Sequence, residues 1–360
     1  MSYIILEQQK IPFHEIKESI KENHFSLYSK GILAFCAEWL SKNATFEIYT
    51  SGSTGVPKRI LWTREMILWS IKNTVQALGL KKNMHCLHCI DANKAGGKMM
   101  LARALTLGMS LEVIAPSSNP LLNCISKHFD FAAMVPLQIH TLYNNGQLKE
   151  LEKIDTLIIG GASLNQSLAD ALQNIKTKIY TSYGMTETAS HIALKRINGD
   201  EKQEYFIPFD DVNISISDDG CLVINTPFHH RLATHDMVKI HSENSLEITG
   251  RNDNMINSGG YKISLEKIEA ALDKALTSLK INFFNYCAYK QPDEKLGEAL
   301  VVIFETKSLE ESMMDELKKE LSPYLEKYEL PKHFYFTDKL EFTVSGKIDR
   351  KKSWENTGEK

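Results

Sequence analysis

Apolar residues recur along this chain in two rhythms. Between about residues 95 and 185, short apolar runs alternate with stretches spaced for one helical face. "GKMMLARALTLGM" (97–109) has helical spacing and leads into the strand-like "SLEVIAP" (110–116). "FDFAAMVP" (129–136) reads as a buried strand and "LQIHTLYNN" as the next helix. "DTLIIGGA" (155–162) is another apolar strand ending in glycines, "NQSLADALQNI" a helix, and "KIYTSYG" (178–184) a strand again. Such alternation predicts βαβ units, hence an α/β fold whose mainly parallel sheet is covered by helices. Ligands of these sheets bind where loops gather at the carboxyl ends of the strands.

After residue 205 the pattern changes. "NISISDDGCLVIN" (213–225) predicts a β-hairpin turning at Asp218, Asp219 and Gly220. From 253 onward a small α+β domain is expected. In "SLEKIEAALDKALTSL", Leu265, Ile268, Leu272 and Leu276 fall on one helical face. "YCAYK" and "EALVVIFE" flank "QPDEKLG" and should pair antiparallel. Ser308 and Glu311 have capping-box spacing at the start of a further helix, which Pro323 should stop. The expected domains are residues 1–252 and 253–360.

Composition narrows the class without naming it. With 43% hydrophobic and 24% charged residues, the 360-residue chain is an ordinary globular protein, long enough for two domains. A net charge of −3 gives no support to a nucleic-acid surface. The six cysteines are scattered, unlike a secreted disulfide framework. "MSYIILEQQK" lacks the pattern of a signal peptide, and apolar runs such as "ALVVIF" (299–304) are too short to span a bilayer. A reduced, cytoplasmic protein is expected; self-association is left open.

Chemistry first surfaces in "YTSGSTGVPK" (49–58), where hydroxyls, two glycines and a lysine share one loop. Glycines let backbone N–H groups approach phosphate oxygens, and hydroxyls with a lysine complete an anion site. The spacing is not that of a P-loop: Gly52 and Gly55 are too close, and Pro57 precedes Lys58. A flexible Ser/Gly linker would have a similar composition.

Four further strings accompany this loop: "TSYGMTET" (181–188), "ATHDMV" (233–238), "ITGRNDNMINSGGYKISLEKIE" (248–269) and "TVSGKIDRK" (343–351). In content and order the five resemble the motifs of the adenylate-forming superfamily of acyl-CoA synthetases, luciferases and adenylation domains. The resemblance implies that family's fold: a large N-terminal α/β domain and a small mobile C-terminal domain. It implies that Thr50, Ser51, Gly52, Ser53, Thr54, Gly55 and Lys58 hold the β- and γ-phosphates of ATP. Glu187 would bind Mg²⁺, a hard cation that suits a carboxylate, and Thr186 would contact the α-phosphate. Gly161, Ala162, Tyr183 and Gly184 would line the adenine pocket. Asp236 would accept both ribose hydroxyls, assisted by Arg251. Lys347 would stabilise the charge that builds up as pyrophosphate leaves. Asp253 matches the hinge, and Gly259 and Gly260 match the loop lining the coenzyme A channel.

Three departures qualify the match. His235 stands where the family usually has glycine before the ribose aspartate, which puts the local turn in doubt. "IDANKAG" (90–96) places Asn93 where many relatives carry a gating histidine. Only 48 residues precede the phosphate loop, so the N-terminal part is expected to be shortened. A separate string, "HCLHC" (85–89), offers Cys86 and Cys89 with two histidines, but no second pair completes a zinc site and strand alternation would part the thiols.

The implied reaction joins a carboxylate to AMP with loss of pyrophosphate, after which coenzyme A displaces AMP. "AGGKMMLARALTLGM" (95–109) and "GMTETASHIALKRI" (184–197) look most like the o-succinylbenzoate–CoA ligases of bacterial menaquinone synthesis. That acid keeps a second carboxylate, for which Lys94, Lys98, Ser190 and His191 are candidate partners. Another aryl- or fatty-acyl-CoA ligase, an enzyme loading a separate carrier protein, and an inactive binding protein are the alternatives.

Overall fold

The computed structural model describes residues 2–49, 58–241, 245–281, 285–343 and 348–358. It divides into two compact units. The first comprises residues 1–164, 171–213 and 226–230; the second comprises 165–170, 214–225 and 231–360.

The first unit is built on a nine-stranded sheet. Across it the order is Ile207–Pro208, Ser190–Arg196, Lys178–Met185, Ile154–Ile159, Phe129–Met134, His85–His88, Ser110–Val113, Tyr3–Leu6 and Gln9–Pro12. The six strands from Lys178–Met185 to Tyr3–Leu6 run parallel, and both margins are antiparallel. The parallel strands carry apolar side chains to both faces; Phe129, Phe131, Leu157 and Ile159 are essentially inaccessible. The short N-terminal stretch extends this sheet. Ile4 and Leu6 enter the same core as Trp39, Phe46 and Trp62.

Local signals set the helix ends. Thr63 caps the helix Arg64–Leu78 by accepting from Met66 N, and Gly79 ends it in the left-handed conformation. The helix Ala95–Leu107 ends at Gly108 in the same way. Near its start, a Cβ on Gly97 would lie 2.2 Å from the Asp91 carbonyl oxygen, so only glycine fits. The expected helix over 165–175 is shorter, spanning Gln166–Ala171.

The second unit holds a four-stranded sheet, Asn213–Ile216, Cys221–Thr226, His229–Ile240 and Leu246–Arg251, and a five-stranded sheet around Gly297–Glu305. The first two strands form the expected hairpin, with Gly220 at φ 77° in the turn. Tyr286–Asp293 and Gly297–Glu305 pair antiparallel, Tyr286 with Phe304 through Asp293 with Gly297. The helix Leu265–Ser278 buries Leu265, Ile268, Leu272 and Leu276 on this sheet. The capping box expected from Ser308 and Glu311 does not form. The helix Glu311–Leu321 starts three residues after Ser308, with Glu310 at the cap and no side-chain cap bond. The helix stops before Pro323. Packing in this conformation groups residues 231–252 with the C-terminal part.

Gly184 faces His191 across the antiparallel pair at the sheet's margin. A Cβ there would lie 2.3 Å from the Ser190 carbonyl oxygen and 2.4 Å from the His191 Cα, both backbone atoms that cannot swing aside. Gly184→Ala should therefore lower stability by about 1–3 kcal/mol, the scale of overpacking, read as a shift in urea midpoint against wild type.

Candidate active site

Within the first unit, a flank of the phosphate-type loop meets "TSYGMTET" at the carboxyl end of the strand Lys178–Met185. Residues 50–57, and so Thr50, Ser51, Gly52, Ser53, Thr54 and Gly55, lie outside the described residues, as does Lys347. The flanks of the loop are described. Thr45–Tyr49 and Arg59–Thr63 form an antiparallel ribbon in which Tyr49 pairs with Arg59, so the loop closes a hairpin, with Lys58 exposed at its base. In this ribbon Trp62 is fully buried, and its indole N–H donates to the Thr186 carbonyl at 2.7 Å. That bond ties the base of the phosphate-type loop to "MTET".

Thr186 and Glu187 lie in the tight turn that follows Lys178–Met185. Thr188 stitches this turn: its hydroxyl oxygen accepts from Met185 N at 3.2 Å, and its proton points to the Ser190 carbonyl at 2.7 Å. Ala189 and Ser190 take φ of 54° and 133°, uncommon for residues with a Cβ. Among the described residues nothing pairs with the Glu187 carboxylate. Beside the turn, Tyr183 lies 6.2 Å from the Phe206 ring at a tilt of 58°. One strand over, Gly161 and Ala162 are exposed at the end of Ile154–Ile159, and Gly161 takes φ 94°, a conformation suited to glycine.

Behind the turn lies a buried polar cluster that sequence reasoning only half identified. His191 Nε2 is 3.0 Å from Thr74 Oγ1, and Nδ1 is 3.2 Å from Ser190 Oγ. Arg103 Nη2 donates to the same Thr74 oxygen at 3.4 Å. Thr74 gives its one proton to the Ser70 carbonyl at 2.9 Å. Its oxygen then accepts from both Arg103 and His191, which sets the Nε2–H tautomer and leaves Nδ1 to accept from Ser190. Arg103 is 3% exposed, its Nε has no partner, and no described carboxylate pairs with it. Burial brings the guanidinium down to about 10, so it stays charged at neutral pH. Burial, and then the Arg103 charge, push His191 down to about 3. In the sequence Arg103 looked like one more helical arginine; the only signal was its place within the apolar run "MMLARAL".

The two candidate lysines go elsewhere. Lys98 Nζ donates to the Glu47 carbonyl at 3.1 Å and lies over the Phe35 ring. Lys94 is the N-cap residue of Ala95–Leu107 and makes no side-chain cap bond. Asn93 sits in the preceding turn, its N–H on the Asp91 carboxylate at 2.9 Å. The "HCLHC" groups also diverge. Cys86 Sγ meets Met109 Sδ, Cys89 Sγ meets the Ala133 carbonyl, His85 meets Ser126 and His88 meets the Gly97 carbonyl. Burial pushes the Cys86 thiol up to about 12.

In the second unit, Asp236, Arg251 and Asp253 meet. Arg251 donates from Nη1 to Asp236 Oδ1 at 2.8 Å and through Nε and Nη2 to both oxygens of Asp253, at 2.8 and 2.7 Å. These bonds hold Arg251 above its ordinary value and the Asp253 carboxyl below it. Asp236 is 7% exposed and lies opposite Arg251 in the strand register. His235 falls within the continuous strand His229–Ile240 and is exposed, opposite in facing to buried Thr234 and Asp236. No turn is needed here, which accounts for the histidine. Asp253 lies in the short 3₁₀ turn Asn252–Asn254. Gly259 and Gly260, at φ 58° and 86°, form the two-residue tip of the hairpin Met255–Ser258/Tyr261–Ser264. Two positive φ angles in succession explain the glycine pair.

His191 carries a pH consequence. It stays neutral in the folded chain down to about pH 3, whereas the unfolded chain takes up a proton near its ordinary value of 6.5. Its contribution is therefore fully present above that value and is lost as pH falls, at up to about 1.4 kcal/mol per pH unit. His191→Gln should flatten the fall in stability between about pH 6 and pH 4, measured by denaturant titration across that range.

Comparison with known proteins gives a consistent result. The family model described as AMP-binding enzyme matches residues 3–225. A "2-succinylbenzoate–CoA ligase" of Listeria monocytogenes is 25% identical over 351 residues, 87% of this chain and 70% of that protein. The solved structure of an acyl-CoA synthetase (AMP-forming)/AMP-acid ligase II-like protein from Dyadobacter fermentans is 34% identical, with a TM-score of 0.61, covering 95% of this chain and 97% of that one. The o-succinylbenzoate coenzyme A synthetase of Bacillus subtilis, solved with ATP and magnesium ion, shares the fold at a TM-score of 0.71 and 21% identity, covering 86% of this chain and 69% of that one. The nine-stranded sheet with its separate smaller unit is the adenylate-forming fold, and the chain belongs to the AMP-binding enzyme family.

Proposed function

We propose that this chain is an AMP-forming acid–thiol ligase whose acid is o-succinylbenzoate and whose thiol is coenzyme A. The observation that carries the choice of acid is Arg103. A buried guanidinium with no carboxylate partner among the described residues is costly unless an anion completes it. It stands with Thr74 and His191 directly behind the turn that carries Thr186 and Glu187. An acid with one carboxylate at the reaction centre and a second on its ring would supply the missing charge. The curated relatives named "2-succinylbenzoate–CoA ligase" support the same substrate. Arg103 takes the place in this reading first given to Lys94 and Lys98, while Ser190 and His191 keep theirs as hydrogen-bonding neighbours.

The reaction needs no enzyme nucleophile. A substrate carboxylate oxygen attacks the α-phosphorus of ATP; the bond to the β-phosphate oxygen breaks, and pyrophosphate leaves with the electron pair. The coenzyme A sulfur then attacks the acyl carbon and AMP departs. In the first step Thr50–Gly55 and Lys58 hold the outer phosphates, Thr186 the α-phosphate, and Lys347 the developing charge. Magnesium bound with the nucleotide would neutralise phosphate charge, and the unpaired Glu187 carboxylate fits a hard cation. Asp236, oriented by Arg251, accepts the ribose hydroxyls, and Tyr183, Gly161, Ala162 and Gly184 take the adenine. For the second step the C-terminal domain turns about Asp253 and brings the Gly259–Gly260 hairpin to the coenzyme A arm. A cytoplasmic location accords with this chemistry; no described helix is long and apolar enough to cross a membrane.

Two experiments test this reading. Lys347→Ala should slow ATP-dependent pyrophosphate release about 10²–10³-fold, yet still convert presynthesised acyl-adenylate to acyl-CoA. Equal loss in both half-reactions would remove Lys347 from its role. Arg103→Gln should cut kcat/KM for o-succinylbenzoate on the order of 10²-fold, the worth of one charge-assisted pair. It should leave benzoylpropionate, which lacks the ring carboxylate, near its wild-type rate. If wild type turns over both acids equally well, the substrate assignment is wrong.

A further inference from the structure

The Gly259–Gly260 tip is exposed, and the ladder of Met255–Ser258 against Tyr261–Ser264 fixes the hairpin behind it. Ile256 and Ile263 root these strands in the core of the second unit, and Tyr261 stacks on Tyr328 with ring centroids 4.1 Å apart. Those contacts hold the strands. The tip itself rests on the turn that joins Tyr286–Asp293 to Gly297–Glu305. Gly259 N donates to the Leu296 carbonyl at 2.9 Å, and Ser258 pairs with Gly297. A Cβ on Gly259 would come 3.1 Å from Leu296 Cδ2, so the leucine side chain lies against the tip as well.

Asp293 shapes this turn. Its Oδ1 accepts from Lys295 N and Leu296 N, both at 3.0 Å, the pattern of an Asx turn. Its Oδ2 accepts from Lys332 Nζ, and Lys332 N donates to the Leu300 carbonyl at 2.8 Å, which ties the carboxylate to the strand that follows the turn. The Lys332 bond and then the two backbone donors hold the Asp293 carboxyl down at about 2. Leu296 is the link. Its N–H is held by Asp293, and its carbonyl is the acceptor for Gly259. An acceptor that fixes one peptide group of a turn also fixes the direction of the next, because each residue has only two soft dihedrals.

We infer that Asp293 is a positioning residue for the thiol step: through the turn it shapes, it places the Gly259–Gly260 tip for the coenzyme A arm. The inference rests on the role proposed for that tip. A contact to the arm, and not to the reacting sulfur, acts alike in the ground and transition states. Its loss therefore shows in KM for coenzyme A and not in kcat.

The test uses the full chain and measures the two half-reactions separately. With presynthesised o-succinylbenzoyl-adenylate, Asp293→Ala should raise KM for coenzyme A at least about 10-fold and leave kcat within about threefold. Pyrophosphate release from ATP and o-succinylbenzoate should stay within about twofold, which also checks folding. Asp293→Asn keeps an acceptor oxygen for the two backbone donors and should recover most of the loss. If KM is unchanged, or if both half-reactions fall together, Asp293 has no positioning role. If Asp293→Asn is as poor as Asp293→Ala, the charge facing Lys332 governs and the turn does not, and the inference fails. Gly260→Leu is run alongside. If it leaves the thiol step intact, the role of the tip fails and the inference falls with it; if it alone impairs that step, the positioning inference fails by itself.

Discussion

The hydrogen bond from the Trp62 indole to the Thr186 carbonyl joins two motifs that lie 124 residues apart. Trp62 is inaccessible to solvent, so its N–H must find a partner inside the protein. The partner it finds is the backbone of the turn carrying Thr186 and Glu187. The ribbon whose tip is the Ser/Gly loop is thereby registered against the end of the sheet. The turn is in turn set by Gly184, where the strand passes too close to Ser190 and His191 for any side chain, and by Thr188, which satisfies donors and acceptors across it. Hydroxyls and carboxylates in short loops recognise phosphate or metal only if such contacts hold the loops in place.

The charged groups fall into two kinds. Arg251 is shared between Asp236 and Asp253, and Arg350 is held by Glu269; each has its counter-charge in the fold. Arg103 has none among the described residues, and its desolvation is offset only by a threonine oxygen, a thioether and an aromatic ring. Arg251 and Arg350 therefore have their charge met within the second unit. The role proposed for Arg103 rests on this difference. The same contrast separates Lys98 from Arg103. Five residues apart, they point about 140° from each other around one helix, and packing sends one to the Glu47 carbonyl and the other into the cluster around Thr74.

Strand and helix order, the parallel sheet, the hairpin at 218–220 and the apolar face of Leu265–Ser278 were legible in the sequence. They depend on hydrophobic period, which is local, and on glycines whose φ angles admit little else. The motif strings were legible for a different reason: each is a contiguous run, so its residue types can be read without knowing which elements meet. Helix starts were less legible. Ser308 and Glu311 have the spacing of a capping box, but a cap competes with the packing of the helix it starts, and here the helix begins after Glu310. What only the tertiary structure decided is which polar groups meet. Trp62 and Thr186, Thr74 and His191, Glu269 and Arg350 are each separated by more than eighty residues or brought together from different elements. The burial of Arg103 belongs to this class too. A lone arginine in a helical pattern carries no local mark of burial, because desolvation is imposed by the neighbours that fold over it and not by its own sequence.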